Sequence, residues 1–95
     1  MKILPETLKK NNCFYRQVCR SGRTAMYSLS YSENGQIVEF DVFKIRIDPA
    51  IVLHGNDVPE REHFPSNEDF GSIAWSFTTR EFAQIKYDQL ERRPS

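Results

Sequence analysis

The sequence predicts an α+β fold, an antiparallel β-meander of three to four strands with one C-terminal helix packed on one face. Three observations carry that expectation. Thr24 to Ser32 alternates strictly, with Ala25, Tyr27, Leu29 and Tyr31 on one side and Met26, Ser28, Ser30 and Ser32 on the other, the two-residue period of a strand. Asn34-Gly35 then separates this run from a second one, Gln36 to Ile47, and both turn residues tolerate the positive φ of a type I′ hairpin. Near the C-terminus, Thr78-Thr79-Arg80-Glu81 offers a capping box ahead of Phe82, Ile85 and Leu90, which, with Ala83 and Tyr87 beside them, recur at helical spacing.

A chain of 95 residues is expected to form a single domain. Residues 1–11 read as a lead-in, in which Pro5 to Lys10 could form one helical turn with Pro at its first position. Residues 12–47 read as a three-stranded meander. Cys13 to Arg20 is rich in aromatic and β-branched residues, and Ser21-Gly22-Arg23 marks a turn. A two-residue turn at Asn34-Gly35 sets Tyr31 opposite Val38, Leu29 opposite Phe40 and Tyr27 opposite Val42. All six then share one buried face, with Ser30 and Glu39, and Ser28 and Asp41, on the other. Adjacent Val42 and Phe43 break the phase, which calls for a β-bulge there or for a strand buried on both sides. For the first strand, a two-residue turn puts Phe14, Arg16 and Val18 on the core face, and a three-residue turn puts Cys13, Tyr15 and Cys19 there. The second buries no arginine and is preferred.

Residues 48–71 read as a long polar loop with three prolines and two glycines, within which Ala50 to Leu53 could form a short strand. Loops of that length are usually functional or disordered. Residues 72–77 alternate as a strand through Ile73, Trp75 and Phe77. A rival reading extends the helix back to Ser66, against which Gly71 and the two threonines count. Residues 78–92 form the helix.

Composition narrows the function classes. Hydrophobic residues make up 39%, and seven Phe, four Tyr and one Trp must supply much of the burial. A domain this small hides about 60–65% of its unfolded surface, so a protein partner or a second copy of the chain would add stability. Thirteen basic residues balance thirteen acidic ones, which leaves no global field to draw the chain to nucleic acid or an anionic membrane. Met1-Lys2-Ile3-Leu4 runs at once into Pro5-Glu6, without the apolar core of a signal peptide, and no apolar run approaches a membrane span. Cys13 and Cys19 lie six residues apart in one expected strand, about 20 Å, against a disulfide limit of about 7 Å between Cα atoms. Free thiols and a cytoplasmic location are the expectation.

Lys44-Ile45-Arg46-Ile47, Pro59-Glu60-Arg61-Glu62, Ser66-Asn67-Glu68-Asp69-Phe70-Gly71 and Ala74-Trp75-Ser76-Phe77 together carry a resemblance. Over residues 25–90 the chain resembles small uncharacterised proteins encoded by phages and mobile elements of gut bacteria. The resemblance implies a genomic setting and no particular activity.

The residue types that carry chemistry are present without the spacing that chemistry needs. Asp69-Phe70-Gly71 spells the kinase metal-binding triplet, but the chain is too short to hold the rest of a kinase site. His54 and His63, with Asp57, Glu60, Glu62, Glu68 or Asp69, lack zinc or EF-hand spacing and read as a solvated loop. Cys13 and Cys19 lie far in sequence from either histidine, so no thiolate–imidazole pair is expected. Glu60 with Glu62, and Glu68 with Asp69, are carboxylate pairs with nothing to place them in a cleft. No catalytic residue, metal ligand or cofactor is therefore expected.

Two function classes remain ahead of a metal-assisted hydrolase. The leading one is a non-enzymatic protein-binding accessory factor whose contact residues are Arg61, His63, Phe64, Asn67, Glu68 and Asp69, on the long loop. The alternative is a small single-stranded nucleic-acid-binding accessory protein. It would use Arg16, Arg20, Arg23, Lys44 and Arg46 for phosphates, with Phe14, Tyr15 and Tyr27 for stacking.

Overall fold

The computed structural model of the chain describes residues 3–33 and 35–92. Two consecutive asparagines shape its beginning. Asn11 (φ 52°) and Asn12 (φ 62°) both take the left-handed conformation, which asparagine tolerates better than most residues. They turn the chain between β1 (Thr7–Lys10) and β2 (Cys13–Ser21), with Lys10 opposite Cys13. Residues 7–10 are thus an edge strand where the sequence suggested a helical turn.

Gly22 (φ 57°) and Arg23 form a two-residue turn into β3 (Thr24–Ser30), with Ser21 opposite Thr24. The three-residue turn preferred from the sequence is not adopted. A bulge at Val18 resolves the conflict instead, because it switches the facing of β2 midway. Before the bulge Tyr15 lies opposite Leu29 and Gln17 opposite Tyr27. After it Cys19 lies opposite Met26.

β4 (Ile37–Lys44) pairs with β3 one residue away from the expected register. Tyr27 faces Asp41, Leu29 faces Glu39, Met26 faces Val42 and Ala25 faces Phe43. Tyr27 and Leu29 therefore lie on the opposite face from Val42 and Phe40, and the six-residue shared face does not form. Tyr31 lies beyond the strand and is 70% exposed, and Val38 is the extra residue of a bulge that sets Ser30 opposite Ile37. Asn34, the first residue of the expected turn, lies outside the described residues. The register differs because every residue of β3 is buried, so sorting apolar from polar was not its constraint. Two-sided burial also accounts for Val42 and Phe43, which continue one regular strand without a bulge between them.

Beyond β4, short strands β5 (Arg46–Asp48), β6 (Ile51–Leu53), β7 (Asn56–Val58) and β8 (Arg61–His63) lead to a 3-10 turn at Asn67–Asp69. β9 (Ala74–Phe77) then returns to pair antiparallel with β4, completing a sheet of order β1-β2-β3-β4-β9. The C-terminal α1 (Arg80–Arg92) packs on one face of this α+β structure.

Each face of the sheet has its own core. Under α1, Met26 and Val42 meet Ala83, Tyr87 and Leu90, bordered by Val18, Cys19, Phe40, Trp75 and Phe77. Residues 83, 87 and 90 form the stripe that meets the sheet. Phe82 and Ile85 were expected in it but flank it at 61% and 49% exposure. Ala83 is fully buried, and its small side chain lets the helix approach closely. On the other face, Ala25, Tyr27, Phe43, Ile45 and Ala74 are covered by Leu4, Phe64 and Phe70. No helix among the described residues is long and apolar enough to cross a membrane.

Tyr27 ties this second core to the N-terminal segment. Its hydroxyl donates to the Pro5 carbonyl at 2.6 Å and accepts from Gln17 Nε2 at 3.2 Å. Tyr27→Phe keeps the ring contacts and removes both bonds. Urea unfolding of that variant should show a loss of about 1 kcal/mol with an unchanged denaturant slope.

Candidate functional site

The segment expected to be a polar loop is a hairpin arm. At its base β5 pairs with β8, setting Arg46 opposite His63, Ile47 opposite Glu62 and Asp48 opposite Arg61. At its tip β6 pairs with β7 across His54 (φ 52°) and Gly55 (φ 79°), again two left-handed residues in succession. Pro49-Ala50 and Pro59-Glu60 separate base from tip on the two sides, where proline cannot donate to a ladder.

The base is fastened to the body by charge. Both oxygens of Glu62 accept from the Arg20 guanidinium, and Glu62 Oε1 also accepts the Leu4 N–H at 2.9 Å. The paired guanidinium, more than anything else, holds the Glu62 carboxyl below its ordinary range. Phe64 follows directly and enters the core, its ring 4.9 Å from Tyr15, 5.2 Å from Phe43 and 5.3 Å from Tyr27. Lys10 Nζ lies 5.4 Å from the Phe64 ring and donates to the Pro65 carbonyl at 2.9 Å.

The six candidate partner-binding residues therefore divide. Phe64 is an anchor of the core. Asp69 closes the 3-10 turn: it accepts the Ser66 N–H at 2.9 Å and pairs with Arg46 Nη1 at 2.9 Å, and these bonds hold its carboxyl below the usual range. Arg61 and His63 both reach Asp48, at 3.4 and 3.2 Å, along the base of the arm. Glu68 is exposed. Asn67 opens the 3-10 turn.

Exposed aliphatic side chains lie elsewhere on the arm. Ile51, Val52 and Leu53 in β6 are 49%, 70% and 50% exposed, three consecutive aliphatic residues on the tip. The sequence held a signal for them. An aliphatic run whose strand partner is Asn56-Asp57-Val58 has little to bury against.

The candidate nucleic-acid residues do not form one platform either. Arg20 is taken up by Glu62, Arg46 by Asp69, and Lys44 Nζ donates to Thr24 Oγ1 at 2.9 Å. Arg16 stands opposite Ser28 on the α1 side of the sheet, Arg20 opposite Ala25 on the other side, and Arg23 in a turn.

Three groups bear on chemistry, one of them buried and two half-buried. Asp41 is 1% exposed on the Tyr27 face, with Ser76 Oγ donating to its Oδ1 at 2.9 Å and Glu39 two residues away on the same face. Burial, then the neighbouring Glu39, pushes its carboxyl up to about 7. The Tyr15 hydroxyl is pushed up to about 12, first by burial and then by Asp41. Cys19, a free thiol like Cys13, is raised by burial, which disfavours its nucleophilic thiolate. Compared with protein-family models, curated proteins and solved structures, the chain matches none.

Phe64→Ala should cost about 3 kcal/mol, the range for truncating a core aromatic, and Arg61→Ala no more than about 0.5 kcal/mol, when both are measured by thermal unfolding. Asp41 generates a second expectation. In the unfolded chain an aspartate titrates at about 3.9. Between there and about 7 the folded state keeps a proton that the unfolded state has lost, so the Asp41 contribution falls as pH rises through that window. Asp41→Asn should flatten the melting profile between pH 4 and pH 7 and melt above the wild type at pH 8, as scanning calorimetry across that range would show.

Proposed function

We propose that the chain is a non-enzymatic protein-binding accessory factor, of the kind that phages and mobile elements encode, and that it contacts its partner with the tip of the arm. The observation that carries this reading is the exposure of Ile51, Val52 and Leu53 on a hairpin whose base is fastened by Arg20, Glu62 and Phe64. Apolar side chains held out on a supported hairpin suit a partner with an apolar cleft. Burying three such side chains would favour association by several kcal/mol before the cost of ordering, at about 25 cal/mol per Å². The β6–β7 sheet has two strands, so each still has an edge at which an extended partner segment can add. The single-stranded nucleic-acid reading draws less support, because three of its five cations are engaged within the chain and the remainder lie apart.

The test uses Val52→Lys beside Glu68→Ala. Both positions are exposed, and a lysine at 52 stands opposite Asp57, so both variants should unfold within about 0.5 kcal/mol of the wild type. In co-purification from the native host, Val52→Lys should lose the bound protein and Glu68→Ala should keep it. Retention of the protein by Val52→Lys at wild-type strength would remove the tip from the interface.

A further inference from the structure

α1 covers only part of its side of the sheet. It sits over Met26 and Val42, at the end where Cys19 pairs with Met26. Towards the other end, the same face carries Thr7 and Lys9 of β1, Phe14 and Arg16 of β2, Ser28 and Ser30 of β3, and Ile37 of β4. These residues line an open groove of about 560 Å³. The floor is low because β3 offers serines there. Ser28 and Ser30 are nevertheless buried, since the larger side chains of the flanking strands rise beside them.

The groove is chemically two-ended. Lys9 and Arg16 supply positive charge along one wall, and among the described residues neither has an ion-pair partner. Phe14 stands directly opposite Lys9 and two residues from Arg16 along β2, and Lys9 Nζ rests over its ring at 5.4 Å from the centroid. Glu33, at the mouth of the β3–β4 connection, lies on the far rim with Ile37. A ligand that satisfies all of this has an anionic group for the two cations, a flat ring for Phe14 and a hydroxyl or amine donor for Glu33 and the serines.

We propose that this groove binds a nucleoside monophosphate unit. Its phosphate lies between Lys9 and Arg16, its base covers Phe14, and its sugar or exocyclic donors face Glu33. The ammonium of Lys9 moves from the ring to the phosphate as the base takes its place. That exchange costs little, because an exposed cation–π contact is weak and the stacking of a base on the ring is stronger. A volume of about 560 Å³ lies in the range of small-molecule sites and suits one nucleotide. The proposal is independent of the arm, which lies outside the groove.

One chemistry has two sources here, a free mononucleotide or one residue of a single strand, and titrations followed by ¹⁵N-resolved NMR separate them. The probes are adenosine monophosphate, uridine monophosphate, inorganic phosphate and a six-residue oligouridylate, each added to the whole chain. At least one nucleotide probe should move the amide signals of Arg16, Ser28 and Ser30 and leave those of Val52 and Ala83 in place. Inorganic phosphate should bind at least tenfold more weakly. Arg16→Gln and Phe14→Leu, both with melting temperatures near the wild type, should each weaken nucleotide binding at least fivefold. An oligouridylate that binds more tightly than the monophosphates, with a steeper salt dependence, identifies a strand as the source. Equal affinities identify the free nucleotide. Unmoved groove signals with every probe, inorganic phosphate binding as strongly as the nucleotides, or affinities indifferent to both substitutions would each overturn the proposal.

Discussion

The constraint on which the rest of the structure depends is that β3 is buried on both faces. All seven of its residues are withdrawn from water, in a chain of only 95 residues. A single helix can cover one face. The other face must be covered by whatever else the chain has, namely the segment before β1 and the residues that follow the arm. Leu4, Phe64 and Phe70 do this, and the Arg20–Glu62 pair and the Tyr27–Pro5 hydrogen bond hold them in place. Charge and aromatic contact thus substitute for a second helix. A partly buried bidentate pair is strongly felt when one member is removed, because the other is left without its counter-charge.

That arrangement explains why residue type was a poor guide to role in the arm. Phe64 and Asp69 look like recognition residues in the sequence, and Glu62 like half of a carboxylate pair, in a region without a period. Each instead secures the cover of the second core. Ile51, Val52 and Leu53, by contrast, stay exposed at the tip of the arm. The basic residues sort the same way. Arg20 and Arg46 are spent on carboxylates brought close only by the fold, from 42 and 23 positions away.

Much of the fold was legible before any coordinates, and the failures share a cause. The α+β class, β3, β4, β9 and the C-terminal helix follow from local periodicity, which neighbours along the chain determine. The register of β3 on β4 did not follow, because sorting apolar from polar fixes a register only where one face is buried, and the presence of a second cover is a long-range fact. The first strand was missed although Asn11-Asn12 is a hairpin signal of the same kind as Asn34-Gly35. The tip of the arm turns on His54-Gly55, where a histidine takes the left-handed place usually given to asparagine. No local rule singles out that histidine. Of the groove, only Phe14 and Arg16 were noticed, since its depth comes from serines whose neighbours belong to other strands.

The return of β9 to the edge of β4 also has a consequence for how the molecule assembles. β1 to β4 are joined by short turns, so their pairing demands little loop closure and can proceed early. The pairing of Phe43 with Ala74 closes a far longer loop that contains the whole arm, and longer loops cost more entropy to close. α1 follows β9 directly, so its docking on Met26 and Val42 is tied to that closure. Trp75, the single tryptophan, belongs to this last strand, with the Lys86 ammonium of α1 lying 3.9 Å over its ring. The pairing that closes the loop around the arm and the indole that would report it thus occupy the same strand.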